Sequence, residues 1–519
     1  RTLLRCSGMI GVCLFVAARA DGNIIQIPVD QPTIQAGIDL ALDGDVVLVE
    51  SGLYFENLDF HGKAITVASR YLETENPAFI EQTVLDGGGQ GAVVTFDDGE
   101  GADAVLLGFT VTNGNHDYGG GIACVAASPT LRHLIVSENQ ATGGAGIHCA
   151  DHASPLIEEV VIRDNSTTLT GTGGGLRCSG YCSPTLRSVV IENNHAENGG
   201  GCYFYFYCDP LLSDVAIRGN VATTTVPSSP SGGGVFCGGQ SRPRFERVRI
   251  TGNTAGSTTN LSGHGGGLFC SGGSQPVIVS STIAENSATF IGGGVQCLGR
   301  AWPRFVNSIL WDDSPQEIAF DGSFDADSVS VAFCNVAGGQ SGILTQGNGT
   351  IFWLEGNISE DPRFVNPGPD EGFHLSPDSP CIDAGTDFLE IDGEVVIDLS
   401  LGEYAGDGPD MGAFEFLDPA SIPGATGIAD GIELFVSPNP SNGPISISYR
   451  LDEATRTQLE LFSLDGRRLA VLDDGLQAAG EHRVDLTRNR LATGTYFARL
   501  RATHDGRTTT GTRRFTIAR

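Results

Sequence analysis

Lysine is almost missing from this sequence. Its 519 residues contain one, Lys63, beside 29 Arg and 62 acidic residues, for a formal net charge of −32. A chain so poor in positive charge has no basic face for the phosphates of a nucleic acid, and that class of partner is excluded. Methionine (2) and tryptophan (3) are scarce, and helical periodicity is nearly absent, which excludes a helical bundle. Apolar runs are short: beyond the first twenty residues none reaches the ~18 that a membrane-spanning helix needs. No Cys-x-x-Cys spacing of the zinc-binding kind is present.

Glycine, in contrast, is abundant, with 72 residues in a chain that is 40% hydrophobic and 18% charged. That is too apolar for disorder and implies many short strands joined by turns. Charge is uneven. Residues 431–519 hold 10 acidic residues and 13 Arg, a net of +3, against −35 for the preceding 430. A boundary follows, with a Pro/Gly/Ala-rich linker over 417–432, between a domain at 21–416 and a second at 433–519. Residues 1–20 place Arg1 and Arg5 before an apolar run and end in Ala18-Arg19-Ala20, the layout of a secretory signal.

Repeats decide the fold. The last Gly of a Gly-rich triplet falls at 121, 146, 175, 201, 234, 267 and 294, a near-period of the kind a solenoid shows. In six coils an aliphatic residue follows, and two positions later a cysteine: Cys124, Cys149, Cys178, Cys237, Cys270 and Cys297. A spacing of two puts both on one face of a strand. The fourth coil has Cys202 and Phe204 at these places. Each coil then carries Pro, a second apolar strand, and an Asn three positions after an apolar residue, as in Ile162 to Asn165. Asn tolerates a left-handed turn, and its amide can bond the Asn one coil away, at the ~4.8 Å strand spacing. The prediction is a parallel β-helix, right-handed by crossover chirality, capped by an amphipathic helix over Pro32 to Leu42. In the tail, alternation in Gln458-Leu459-Glu460-Leu461-Phe462 and in Arg499-Leu500-Arg501, with turns at Asp465-Gly466 and Asp505-Gly506, gives a small antiparallel β-sandwich.

These residues carry a resemblance. The segment Ile27 to Asn57, the Gly-triplet coils and the closing segments Asp361 to Thr386 and Asp410 to Phe416 resemble secreted right-handed β-helix proteins of the pectin-lyase-like superfamily. The tail, with Ser437-Pro438-Asn439-Pro440, Leu491 to Phe497 and a basic ending, resembles the C-terminal sorting domain of the type nine secretion system. The resemblance implies a secreted or surface-attached protein that engages that machinery.

The superfamily includes polysaccharide lyases, hydrolases and esterases, but each catalytic motif is incomplete here. Gly52-Leu53-Tyr54-Phe55-Glu56 and Leu298-Gly299-Arg300-Ala301-Trp302 resemble elements of pectin methylesterases, without the aspartate-bearing motifs. The second segment aligns without gaps on the turn of another coil. Gly263-His264-Gly265 resembles a polygalacturonase element, but no paired aspartates precede it, and inverting hydrolysis needs two opposed carboxyls. No catalytic residue is assigned.

Other candidates remain. Asp392, Asp407 and Asp410 supply oxygen ligands of the kind Ca²⁺ takes; no other cofactor is implied. The six cysteines of the inward ladder are expected as buried free thiols. Cys182 and Cys208, each seven residues after its Gly in adjacent coils, are the one expected disulfide. In Cys202-Tyr203-Phe204-Tyr205-Phe206-Tyr207-Cys208, period two places Phe204 and Phe206 inside and lines Tyr203, Tyr205 and Tyr207 along the outer face. Such rings suit stacking on sugars or contact with an extracellular protein; the other reading packs them under the loop 221–231. The expected function is an exported non-catalytic β-helix that binds glycan or protein along its lateral face. Against it stand a polysaccharide lyase or glycoside hydrolase with an unrecognised site, and a purely structural envelope component.

Overall fold

The computed structural model describes residues 22–416 apart from 225–227, 258–261, 323–324, 348, 366–371, 401–402 and 405, and residues 433–517 apart from 438–444, 452–453, 464–467, 487–493 and 505–506. The expected signal, the linker and the two Asp-Gly turns of the tail lie outside the described residues.

One coil shows how the sequence winds. Strand Ile147–Ala150 ends at a tight corner, and Leu156–Glu158, Val161–Arg163 and Ser166–Thr172 follow before the Gly triplet begins the next turn. Stacked on their equivalents in parallel register, these strands form sheets of 10, 13, 11 and 7 strands, called I to IV in that order. Alternation sends Ile147, Cys149, Ile157 and Ile162 inward, where they are fully buried in one continuous core. Helix α1, Ile34–Leu40, covers the first coil, capped by the Thr33 hydroxyl and burying Ile34 and Ile38. It is shorter than the expected 32–42: the chain turns extended at Ala41, so Leu42 is 71% exposed and off the helix face.

The Asn ladder forms as anticipated. Asn139, Asn165, Asn194, Asn220, Asn253 and Asn286 are buried, and each Nδ2 donates to the side-chain oxygen of the next residue in the stack at 2.9–3.0 Å. The same oxygen accepts the backbone N–H of the preceding ladder residue, as Asn194 does for Asn165 at 3.0 Å. The left-handed turn sits one residue earlier than expected, at Glu138, Asp164, Asn193, Gly219, Gly252, Glu285 and Asp312. The ladder Asn is needed for its amide. Glycine is required beside it: a Cβ on Gly175 would lie 2.8 Å from the Gly201 carbonyl and 3.0 Å from Asn194 Nδ2. Asp313 ends the ladder. Its Oδ1 accepts from Asn286, while Oδ2 and the Oε2 of neighbouring Glu317 are buried with no hydrogen-bond donor. Burial pushes both carboxyls above their usual range, with the charge of Glu317 adding to the rise of Asp313.

The closing segment folds back along the flank. Asn307 exchanges two hydrogen bonds with Thr386, at 2.8 and 2.9 Å, and the hairpin Phe388–Ile391/Glu394–Asp398 packs Ile391, Val396 and Ile397 on Val277, Val279 and Val306. The tail is the expected antiparallel sandwich of a three-stranded and a four-stranded sheet. Its core holds Ile447, Tyr449, Leu459, Leu500 and Phe515, and buried Glu460 is held by Arg468 and Arg499 at 3.1 and 3.0 Å.

Candidate functional site

The six expected ladder cysteines stack in register in sheet I, with Phe204 between Cys178 and Cys237. All six are fully buried free thiols. After six of the ten sheet I strands the chain turns through two consecutive left-handed residues and places a small side chain inward: Ala153, Cys182, Cys208, Ser241, Ser274 or Ala301. Cys182 and Cys208 are therefore neighbours in adjacent coils, as expected. The structure holds both as free thiols. Each thiol also points at its own corner, Cys182 toward Ser179 O at 3.4 Å and Cys208 toward Tyr205 O at 3.3 Å.

The corner corrects the tyrosine row as well. Strand Cys202–Tyr205 stops before Phe206, whose φ of 66° and that of Tyr207, 59°, are left-handed. Alternation is lost there: Phe206 points outward and is 46% exposed, and Cys208 takes the next interior place. The three tyrosines divide. Tyr205 (41% exposed) and Tyr207 (38%) are on the surface, whereas Tyr203 is half-buried against Phe236, with ring centroids 4.7 Å apart.

The corner rings form a stack over three coils. His152 lies on Tyr181 at 5.2 Å and Tyr181 on Tyr207 at 5.1 Å, the latter pair within 4° of parallel, and Phe206 meets both tyrosines edge-on. Edge-on and offset packing of this kind is the favoured geometry of aromatic pairs. Of the other five such corners, four use Gly at the first left-handed position, Gly180, Gly239, Gly272 and Gly299, and one uses Asp151. Phe206 there bears a strain of about 1–2 kcal/mol, the cost of the left-handed region for a residue with a Cβ.

Sequence reading missed a second row. The residue between the aliphatic and the Cys of each coil points out of sheet I, and in-register stacking aligns Ala123, His148, Arg177, Tyr203, Phe236, Phe269 and Gln296. The period-two pattern that revealed the Cys ladder specifies this column equally. In it Arg177 lies between the rings of Tyr118 and Tyr203, 5.2 and 5.8 Å from their centroids, with Nε donating to Thr172 Oγ1 at 3.1 Å. It has no carboxylate partner among the described residues. Burial, with Arg177 second, pushes His148 down to about 3, so this imidazole is neutral. Tyr205 joins the column to the corner, its ring 5.8 Å from that of Tyr203.

The expected Ca²⁺ ligands do not come together. Asp410 is buried and spends its oxygens on the backbone N–H groups of Asp383 and Phe416, and burial pushes it up to about 7. Asp407 is held through its own amide by Asp383, and Asp392 sits in the turn of the 388–398 hairpin. Among the described residues one set of three side chains, Asp59, His61 and Asp98, has ligand atoms within 4.8 Å of one another; two of the three are exposed.

The catalytic look-alikes have structural roles. Glu56 caps helix α1 by accepting from Ile34 and Gln35, both at 3.0 Å. Arg300 is the second left-handed residue of an ordinary corner, and His264 bonds Gln296 of the next coil at 3.0 Å.

Residues 120–357 match the family described as the right handed beta helix region, and residues 436–513 match the secretion system C-terminal sorting domain. No curated protein matches the chain. Among solved structures, pectate lyase Pel9A is 14% identical, with a TM-score of 0.39 over 73% of this chain and 90% of its own. The sorting domain marks a protein that engages the type nine secretion machinery and is secreted or attached to the outer surface. No described helix is long and apolar enough to cross a membrane.

Proposed function

We propose that this chain, an exported right-handed parallel β-helix with a type nine sorting domain, is a non-catalytic binding protein that holds a glycan along the lateral face formed by the corner stack and the Arg177–Tyr203 column. The observation that carries this reading is Phe206. A large ring is kept exposed, in a left-handed conformation that both neighbouring coils give to Gly, and backbone strain borne by an exposed aromatic residue points to a functional role. Around it Tyr181, Tyr205 and Tyr207 present rings and hydroxyls over two adjacent coils, the combination of apolar body and polar tip that suits a sugar. Surface tyrosines also lose little conformational freedom on binding.

The test is retention of the purified protein by a panel of neutral and acidic polysaccharides, with released product followed at the same time. Retention without product, reduced at least tenfold by the double substitution Tyr205→Ala/Tyr207→Ala, is expected. Unsaturated or reducing-end products at an enzyme-like rate would replace this reading with a lyase or hydrolase. Equal retention of the double variant would remove the aromatic face from it.

A further inference from the structure

We propose that Cys182 and Cys208 are oxidised to a disulfide in the exported protein, a covalent staple between two coils directly beneath the aromatic corner. Three observations converge on this pair. The two cysteines occupy the same inward position of successive corners, and the backbones there are tied by Asp209 N to Cys182 O at 3.1 Å and Tyr181 N to Phe206 O at 3.0 Å. Stacking at the strand spacing of ~4.8 Å puts their Cα atoms inside the 4.4–6.8 Å range of disulfides. The sorting domain sends the chain out of the cell, where disulfides form and persist.

The other stacked thiols are less suited. Cys149 and Cys178 lie within straight, fully paired strands, so their Cβ atoms are held parallel at the strand spacing, beyond the ~3.8 Å a disulfide favours. Cys182 and Cys208 follow a corner, outside the strands, where a small rotation closes the gap without breaking a ladder.

Both thiols are fully buried once the coils are stacked, so oxidation takes place as the chain folds after export, while an oxidant still reaches them. One of the two thiolates displaces a sulfur of a disulfide-bearing oxidant, giving a mixed disulfide; the other thiol loses its proton and attacks the protein sulfur of that bond, and the oxidant leaves with both of its sulfurs as thiols. Two electrons and two protons pass to the oxidant, and one S–S bond is made in the protein for the one broken. The product links the turn bearing Tyr181 to the turn bearing Phe206 and Tyr207, fixing their stack.

Full-length protein collected after export, alkylated without reduction and digested, tests this by mass spectrometry. The expected result is a linked pair of peptides containing Cys182 and Cys208, with nine of the eleven cysteines beyond the leader region alkylated. All eleven alkylated, or a bridge between other cysteines, would overturn the proposal. Thermal unfolding gives a second readout: dithiothreitol lowers the midpoint of the wild type by several degrees and leaves that of Cys182→Ser/Cys208→Ser unchanged. An equal response of the two proteins would count against the staple. Neither measurement involves a glycan, so its outcome is independent of the binding proposal.

Discussion

The Asn corner and the aromatic corner of the same coils are built in opposite ways. The first repeats one residue and one set of hydrogen bonds from Asn139 to Asn286, all of it buried. The second keeps its backbone, two left-handed residues and a small inward side chain, but changes the outward residue at nearly every step. Repetition is the signature of an element that answers only to its neighbours in the stack. Variation on a fixed backbone is what a surface facing an outside ligand requires. The comparison teaches that the solenoid draws stability from one edge and leaves the other free for chemistry.

The sharpest way to break the comparison is in the ladder. Asn194→Leu removes an acceptor used by two N–H groups of Asn165 and the Nδ2 that donates to Asn220 Oδ1 and to the Ile162 carbonyl, leaving Asn220 Oδ1 only the backbone N–H of residue 194. Several buried groups lose partners at once, and we expect a loss of about 3–5 kcal/mol in denaturant unfolding. A loss below about 1 kcal/mol would show that the amide stack is ornamental.

The end of the ladder gives the next effect, and it depends on pH. The buried Oδ2 of Asp313 and Oε2 of Glu317 meet no donor, an arrangement that favours a proton on the pair. Both folded-state values are raised, so above the ordinary carboxylate range near 4 the folded protein binds protons the unfolded chain releases, and stability falls as pH rises through that window. Asp313→Asn keeps the acceptor for Asn286 and replaces the proton by an N–H donor. Its melting temperature should match the wild type near pH 4 and exceed it by several degrees at pH 8. A constant difference across that range would refute the shared proton.

The smallest effect is at the aromatic corner and has the opposite sign. Phe206→Gly relieves the left-handed strain and should raise stability by about 1 kcal/mol while weakening glycan retention severalfold. A variant that loses both stability and binding would mean that the ring is structural.

Much of the repeat was legible in the residues. The Gly triplets, the Cys position and the Asn position gave the coil, the direction of its strands and the buried ladders, because each coil packs on near-copies of itself and a local pattern specifies its own partner. The site was legible in part. Cys182 and Cys208 came together because their offsets from Gly are equal. The three tyrosines did not form one row, because alternation was carried past Tyr205 into residues whose φ is positive. The Arg177 column was readable by the same period two that gave the cysteines.

The sequence alone thus determined a chain of stacked parallel coils with a small antiparallel sandwich behind it, since hydrophobic spacing and turn residues repeat with the coil, and the tail's resemblance to a sorting domain implied export. Tertiary structure decided which outward residues are covered and which are not: Phe206 turns out and Tyr203 is half-buried. It also decided that Asp410 is buried away from Asp392 and Asp407. Those outcomes rest on single left-handed residues and on chain segments remote in sequence, neither of which leaves a periodic trace.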